Sequence, residues 1–229
     1  MRLPHLVPGR FETRANRFRV SVTIKGTTVD AHLPNSGRLT ELLTPGRRCW
    51  LARMEAPHRK TDYDLKLVKY AGTLVSVDAR LPNPLVAEAL RRRQLPAWRR
   101  CRDFDREVRL GKSRVDFRLT TPEGHLWIET KSVTLVERRV ALFPDAPTAR
   151  GTRHLHELIT AIHEGDRAAI VFVIQRPDAD RFRAHDEADP NFAEALRLAA
   201  DAGVDLYAWT CRVSTEAIVI AKRVPVDLA

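Results

Sequence analysis

Hydrophobic periodicity changes character once along this chain, near residues 80–84, and that change limits the folds open to it. Before it, apolar residues recur at every second position in short runs, the spacing of strands with one buried face. Phe18, Val20, Val22 and Ile24 alternate with Arg19, Ser21 and Thr23. Lys25–Gly26 is a turn, and Thr28–Leu33 reads as the returning strand. Arg48–Met54, Leu65–Tyr70 and Leu74–Val77 read as further strands. Five or so short strands with turns between them predict a small antiparallel OB-like β-barrel. After the change, helix and strand alternate. Leu85, Val86, Ala89 and Leu90 form a helical stripe that carries Glu88. Residues 106–119 and 125–136 read as strands, and Leu155, Leu158, Ile159 and Ile162 mark a helix over 148–164. Ala168–Ile174 is a continuous apolar run, as in a strand buried on both faces. A helix opens at Asp189–Pro190, and strands at Asp205–Cys211 and Glu216–Ala221 close the chain. This pattern predicts an α/β domain over 83–229, a mixed sheet with helices on both faces, preceded by the barrel over 1–82.

At 229 residues there is room for one or two domains. The longest apolar runs fall far below the roughly 20 residues of a spanning helix, so no membrane span is expected. Pro4 and Pro8 break an N-terminal stretch that has no apolar core, and no secretory signal is expected either. Cys49, Cys101 and Cys211 are odd in number, far apart and without a C-x-x-C, which excludes a disulfide framework or zinc knuckle. They read as thiols of a reducing compartment, so a cytoplasmic setting is expected. Charge is uneven: the net is +10, yet residues 1–100 hold 20 basic and 8 acidic residues and the remainder 19 and 21. A basic first half on a near-neutral second half points to a polyanion-binding module joined to something else. Phe18, Trp50 and Tyr70 are either aromatic platforms for bases or barrel core.

The stretch that carries chemistry runs from Ser113 to Lys131. Thr121-Pro122-Glu123-Gly124 has turn composition. A hairpin centred between Pro122 and Glu123 sets Asp116 directly opposite Glu129, where Cβ atoms lie about 4.5–5.5 Å apart. Lys131, two residues on, shares the face of Glu129, while Val115, Phe117, Ile128 and Thr130 are expected on the other. Two opposed carboxylates are destabilising unless compensated. A divalent cation, Mg2+ or Mn2+, held by oxygen ligands is one compensation, with Lys131 beside it to stabilise charge on phosphorus. A solvated hairpin face with an ordinary Glu–Lys pair is the other. Glu88 is a candidate further metal ligand or a flanking helix glutamate. Gln175 either lies near the site or bonds backbone at a strand end.

Val29-Asp-Ala-His-Leu-Pro-Asn35 nearly repeats as Val77-Asp-Ala-Arg-Leu-Pro-Asn83, each copy followed by a helix-like pattern. Asn83 reads as an N-cap with Pro84 at the first helical position. Asn35, Ser36, Gly37 and Arg38 read as an anion-binding helix start, or as plain strand-stop punctuation. Arg153 and His154 fall on the polar face of the 148–164 helix, as phosphate contacts or solvated side chains. Asp145 reads as a turn residue. No P-loop, Rossmann fingerprint or Gly-x-Ser-x-Gly elbow is present.

At His32-Leu-Pro-Asn-Ser-Gly-Arg38, Arg80-Leu-Pro-Asn83, Arg114-Val-Asp-Phe117, Glu129-Thr-Lys-Ser-Val-Thr-Leu-Val-Glu137 and Ala141-Leu-Phe-Pro-Asp-Ala-Pro-Thr148 the chain resembles the sugar fermentation stimulation protein A (SfsA) family. The resemblance runs from Phe11 to Val226. It implies an N-terminal OB-like barrel, a C-terminal domain of the PD-(D/E)XK nuclease type, and DNA as partner. The family takes its name from an effect on sugar metabolism genes. In the nuclease superfamily one strand gives an acid and the next an acid-x-Lys pair, the places of Asp116, Glu129 and Lys131. A helix glutamate often joins them, the place for which Glu88 is the candidate. Val115 stands where the superfamily's proline would precede the acid. Two readings follow: a magnesium-dependent DNA-cleaving enzyme, or a non-cleaving DNA-binding regulator whose acids are a relic or hold a structural metal. The sequence leaves the oligomeric state, monomer or homodimer, open.

Overall fold

The computed structural model describes residues 1–55, 58–101, 103–121 and 124–228. The turn Pro122–Glu123 that sets the expected hairpin register lies outside the described residues.

The first half is a closed barrel. Strands β1 (Leu6–Asn16), β2 (Arg19–Ile24), β3 (Thr27–His32), β4 (Arg48–Arg53) and β5 (Tyr63–Tyr70) pair in the order β3-β2-β1-β4-β5. A short parallel pairing of β3 with β5 at Ala31↔Tyr63 and His32↔Asp64 closes it. β6 (Thr73–Ser76) returns antiparallel on β5. Alternation works as read for Val20 and Val22, which are fully buried with Phe11, Leu51 and Leu65. Phe18 departs from it. The Asn16 side chain accepts the Phe18 amide (2.9 Å) in the turn before β2, and the ring is left 47% exposed. Trp50 is core, packed with Leu6, Ala52 and Leu67. β1 has no legible alternation, because it holds Pro8 and Gly9 and its register against β2 shifts after Phe11 and again after Arg14. Gly9 is required there: a Cβ would lie 2.7 Å from Val22 Cγ1.

The second half is the mixed α/β layer structure. It runs α1 (Pro82–Arg91), β7 (Asp103–Leu110), β8 (Ser113–Thr121), β9 (Gly124–Val133), β10 (Val136–Glu137), β11 (Val140–Phe143), α2 (Ala149–His163), β12 (Arg167–Ile174), β13 (Arg181–Ala184), α3 (Pro190–Asp201), β14 (Asp205–Val213), β15 (Ile218–Val224) and β16 (Val226–Asp227). The main sheet has the order β15-β14-β12-β9-β8-β7, with β9, β12 and β14 mutually parallel. β12 is buried on both faces: Ile170, Phe172 and Ile174 pack towards α2 and α3, and Ala169, Val171 and Val173 towards α1. Thr148 and Asp189 cap α2 and α3, accepting the Gly151 and Phe192 amides at 3.1 Å. α1 begins two residues earlier than its Asn-Pro pair suggests, with Pro82 as its first residue, so Asn83 is not its cap. The expected strand 106–119 is two strands that turn at Gly111, whose φ is 53°. Strands β10, β11, β13 and β16 form a small second sheet, each too short to show a period.

Gln175, just past β12, joins the halves. Its backbone accepts from Ser76 N–H (3.0 Å) and donates to Val133 O (2.8 Å). Its side chain accepts from Ser76 Oγ (2.9 Å) and donates to Asp78 O (3.0 Å) and Ser132 Oγ (2.8 Å). The barrel is thereby fastened at the C-terminal ends of β9 and β12, the edge of a parallel sheet where ligands gather. Met1–Leu3 bonds Glu216 and Ile218 in the second half, and Leu3 also packs against Leu6 and Trp50 of the barrel. Among the described residues no helix is long and apolar enough to cross a membrane.

Candidate active site

The β8–β9 ladder runs from Thr121↔Gly124 to Phe117↔Ile128, the register that makes Asp116 and Glu129 the next facing pair. The ladder stops there. On the other side the β7–β8 pairing skips Asp116, opposite Glu107 at φ 54°. The backbone twist at this point overrides strict alternation: Val115 packs with the α2–α3 core and Phe117 with the α1 core. Asp116 therefore does not stand on the face opposite Thr130, as alternation suggests. Its Oδ2 accepts from Thr130 N–H and Oγ1 (both 2.7 Å), and Oδ1 accepts from Asn83 Nδ2 (2.5 Å). Burial and the Glu129 charge push the Asp116 carboxyl above the usual range, against those hydrogen bonds.

Glu129 is buried. Its Oε1 accepts from Lys131 Nζ (2.6 Å) and contacts His154 Nδ1. Its Oε2 is buried with no hydrogen-bond partner. Burial raises the carboxyl, but Lys131 and His154 outweigh it and hold Glu129 below the usual range. An ionised, buried carboxylate with one open oxygen beside a second carboxylate is an arrangement suited to a hard cation.

The other expected site residues sort differently. His154 is 2% exposed, turned inward onto Glu129 rather than outward on a polar face. Arg153, its neighbour, is exposed. Glu88 is engaged by the Met1 ammonium (2.5 Å) and Arg92 (2.8 Å), and from α1 it is Asn83, not Glu88, that touches Asp116. Among the described residues no three His, Cys, Asp or Glu side chains gather as a metal-binding group. Asn83 and Thr130 lie within the Arg80–Asn83 and Glu129–Glu137 motifs, but cap chemistry and strand alternation point them to other tasks.

Asn35–Arg38 does not start a helix; a loop follows. Asn35 is buried, donating to Val77 O (3.1 Å) and accepting Gly37 N–H (2.8 Å), while Ser36 and Arg38 are exposed. An anion does sit on this loop, and it is the chain's own. The Asp145 carboxylate accepts Leu39 N–H (3.4 Å) and fills the space where a Gly37 side chain would be.

Two family models match the chain: the SfsA N-terminal OB domain over residues 13–77, and the sugar fermentation stimulation protein RE domain over residues 80–217. A sugar fermentation stimulation protein homolog of Alkaliphilus metalliredigens is 45% identical over 93% of this chain and 93% of its own length. One of Desulforamulus reducens is 42% identical over 99% of this chain and 94% of its own. Among solved structures, Pyrococcus furiosus SfsA in complex with Ca2+ superposes with a TM-score of 0.92 at 34% identity, covering 99% of this chain and 98% of that one. Barrel, mixed sheet and relatives agree over almost the whole length, and the chain belongs to the sugar fermentation stimulation protein (SfsA) family.

Proposed function

We propose that this protein binds DNA and hydrolyses phosphodiester bonds with Mg2+ or Mn2+, using Asp116, Glu129 and Lys131. The observation that carries the reading is Glu129 Oε2, a buried carboxylate oxygen without a partner, at the point where the β8–β9 ladder opens beside Asp116. Glu129 and Asp116 would hold the cation; a divalent ion in this fold is supported by the Ca2+ complex of the Pyrococcus furiosus relative. When bound, such a cation supplies Lewis-acid stabilisation of the charge that builds on a phosphoryl group. The Lys131 ammonium, partly open to solvent, adds a second positive centre for the same charge. Lys131 and His154 both engage Glu129 through Oε1, which leaves Oε2 without a partner. The basic first half and its OB barrel support DNA as the polyanion.

A second reading, DNA binding without cleavage, is favoured by one observation: both Asp116 oxygens already accept hydrogen bonds. One assay separates the two. Purified protein is incubated with single-stranded, duplex and branched DNA and Mg2+ or Mn2+, beside Asp116→Ala and Lys131→Ala. Cleavage by the wild type is expected, lost by at least about a hundredfold in either variant, with DNA affinity nearly unchanged. Wild-type protein that leaves every form intact while binding it selects the non-cleaving reading.

A further inference from the structure

Phe18 is one of two large hydrophobic side chains left exposed among the described residues, the other being Leu198. An exposed ring on a loose turn would mean little. This turn is held at four backbone groups around the ring, Asn16 O, Arg17 O, Phe18 N–H and Phe18 O. Phe18 N–H donates to Asn16 Oδ1 (2.9 Å), and Phe18 O accepts Leu33 N–H (2.9 Å) and contacts His32 Nδ1 (3.1 Å). The Arg14 guanidinium donates to the carbonyls of Asn16 (3.3 Å) and Arg17 (2.8 Å). Phe18 and His32 lie side by side, ring centroids 6.2 Å apart and planes 35° apart. They line a hollow of about 400 Å³ with Arg19, Arg59 and Lys60, from the β1–β2 turn, the end of β3 and the β4–β5 loop. Pockets of roughly 300–1,000 Å³ take small planar ligands. Arg19 is matched by Asp30 and Arg59 by Asp64, so the rim's exposed positive charge comes from Lys60 and from Arg17 beside the ring. A fixed apolar platform with cations at its edge suits one unpaired base and its flanking phosphates.

We propose that the Phe18–His32 face is a stacking subsite for an unpaired base of single-stranded DNA. This rests on the DNA-binding part of the reading above and adds strand preference to it. The subsite is coupled to the second half of the molecule. Arg14, which braces the turn, also donates to Arg38 O (2.6 Å), in the loop that Asp145 holds.

The test is equilibrium binding of the full chain at low salt. The probes are a labelled single strand of about 16 nucleotides, near the upper site size of one OB fold, the same strand with abasic positions, and the matching duplex. Phe18→Ala is expected to weaken binding of the intact single strand about 5- to 150-fold, the range for losing one base–aromatic stack. Duplex affinity and the thermal midpoint stay at the wild-type value, and Phe18→Trp restores single-strand binding. Wild-type protein should bind the abasic strand as weakly as Phe18→Ala binds the intact one. Equal losses on single strand and duplex, or no loss in Phe18→Ala, overturn the subsite while leaving the DNA-binding reading intact. Wild-type protein that binds none of the three probes overturns both.

Discussion

At Gly37 the space for a side chain is already taken. An added Cβ would press into the Asp145 carboxylate, which that loop holds through Leu39 N–H. Gly37→Ala should therefore displace Asp145 and destabilise the protein by about 1–3 kcal/mol, the usual cost of forcing atoms into a filled site. Ser36→Ala, one residue away and exposed, should stay within about 0.5 kcal/mol of wild type in the same urea titration. Equal effects of the two would show that the loop does not depend on Asp145. Residue by residue, the sequence carried more chemistry than geometry. Asn35–Arg38 reads as an anion-binding helix start or as plain punctuation; no helix starts there, and nothing local indicates that a carboxylate 106 positions away rests on Leu39 N–H. His154 reads as polar by type and helix position. Its burial follows from a partner, Glu129, on another element.

At the scale of elements, the hairpin arithmetic from Pro122–Glu123 gave the observed β8–β9 register, because turn chemistry fixes register locally. What it did not give was the break at Asp116, which depends on β7 and α1 packing against β8. β1 escaped the alternation test because bulges reset the period, and the small β10–β11–β13–β16 sheet because its strands are too short. The apolar run of β12 was readable as a central strand, whereas Gln175 at its end showed no sign of bridging both halves. Three polar groups depend on that side chain: Ser76 Oγ, Asp78 O and Ser132 Oγ. Leaving a buried polar group unpaired costs roughly 1–3 kcal/mol. Gln175→Ala is expected to lower stability by at least about 2 kcal/mol, read as a drop in the urea midpoint. An unchanged midpoint would mean that the barrel is fastened elsewhere.

Across the whole molecule, charge does two separate jobs. Beneath the basic surface lies a buried ionic cluster. Asp64 and Asp78, both almost fully buried, accept from Arg80 at 2.7 Å. Lys66 donates to Asp78 at 2.7 Å. Burial pushes both carboxyls up, but Arg80 and Lys66 outweigh it and hold them below the usual range. A folded-state pKa below the unfolded value, near 3.9 for Asp, means stability that is complete above about pH 4 and is lost as pH falls further. Urea midpoints measured from pH 7 downward should fall most steeply below about pH 4. The fall should be shallower in Asp78→Asn, which is itself weaker at pH 7 by about 3–5 kcal/mol, as expected when a buried pair loses one partner. In the proposed reading the outer charge, concentrated in the first half, is what meets DNA, and the logarithm of the binding constant should then fall linearly with the logarithm of salt concentration. Separate from both is the site on which the functional reading depends, a buried Glu129 with one unpartnered oxygen, close enough to Asp116 for its charge to raise that carboxyl. Calorimetric titration of the folded protein with Mn2+, in wild type and in Glu129→Gln, tests it most directly. A single cation is expected to bind wild type and to be lost in Glu129→Gln. Binding that survives Glu129→Gln unchanged, or no binding to wild type, would contradict the assignment of a metal site to these strands.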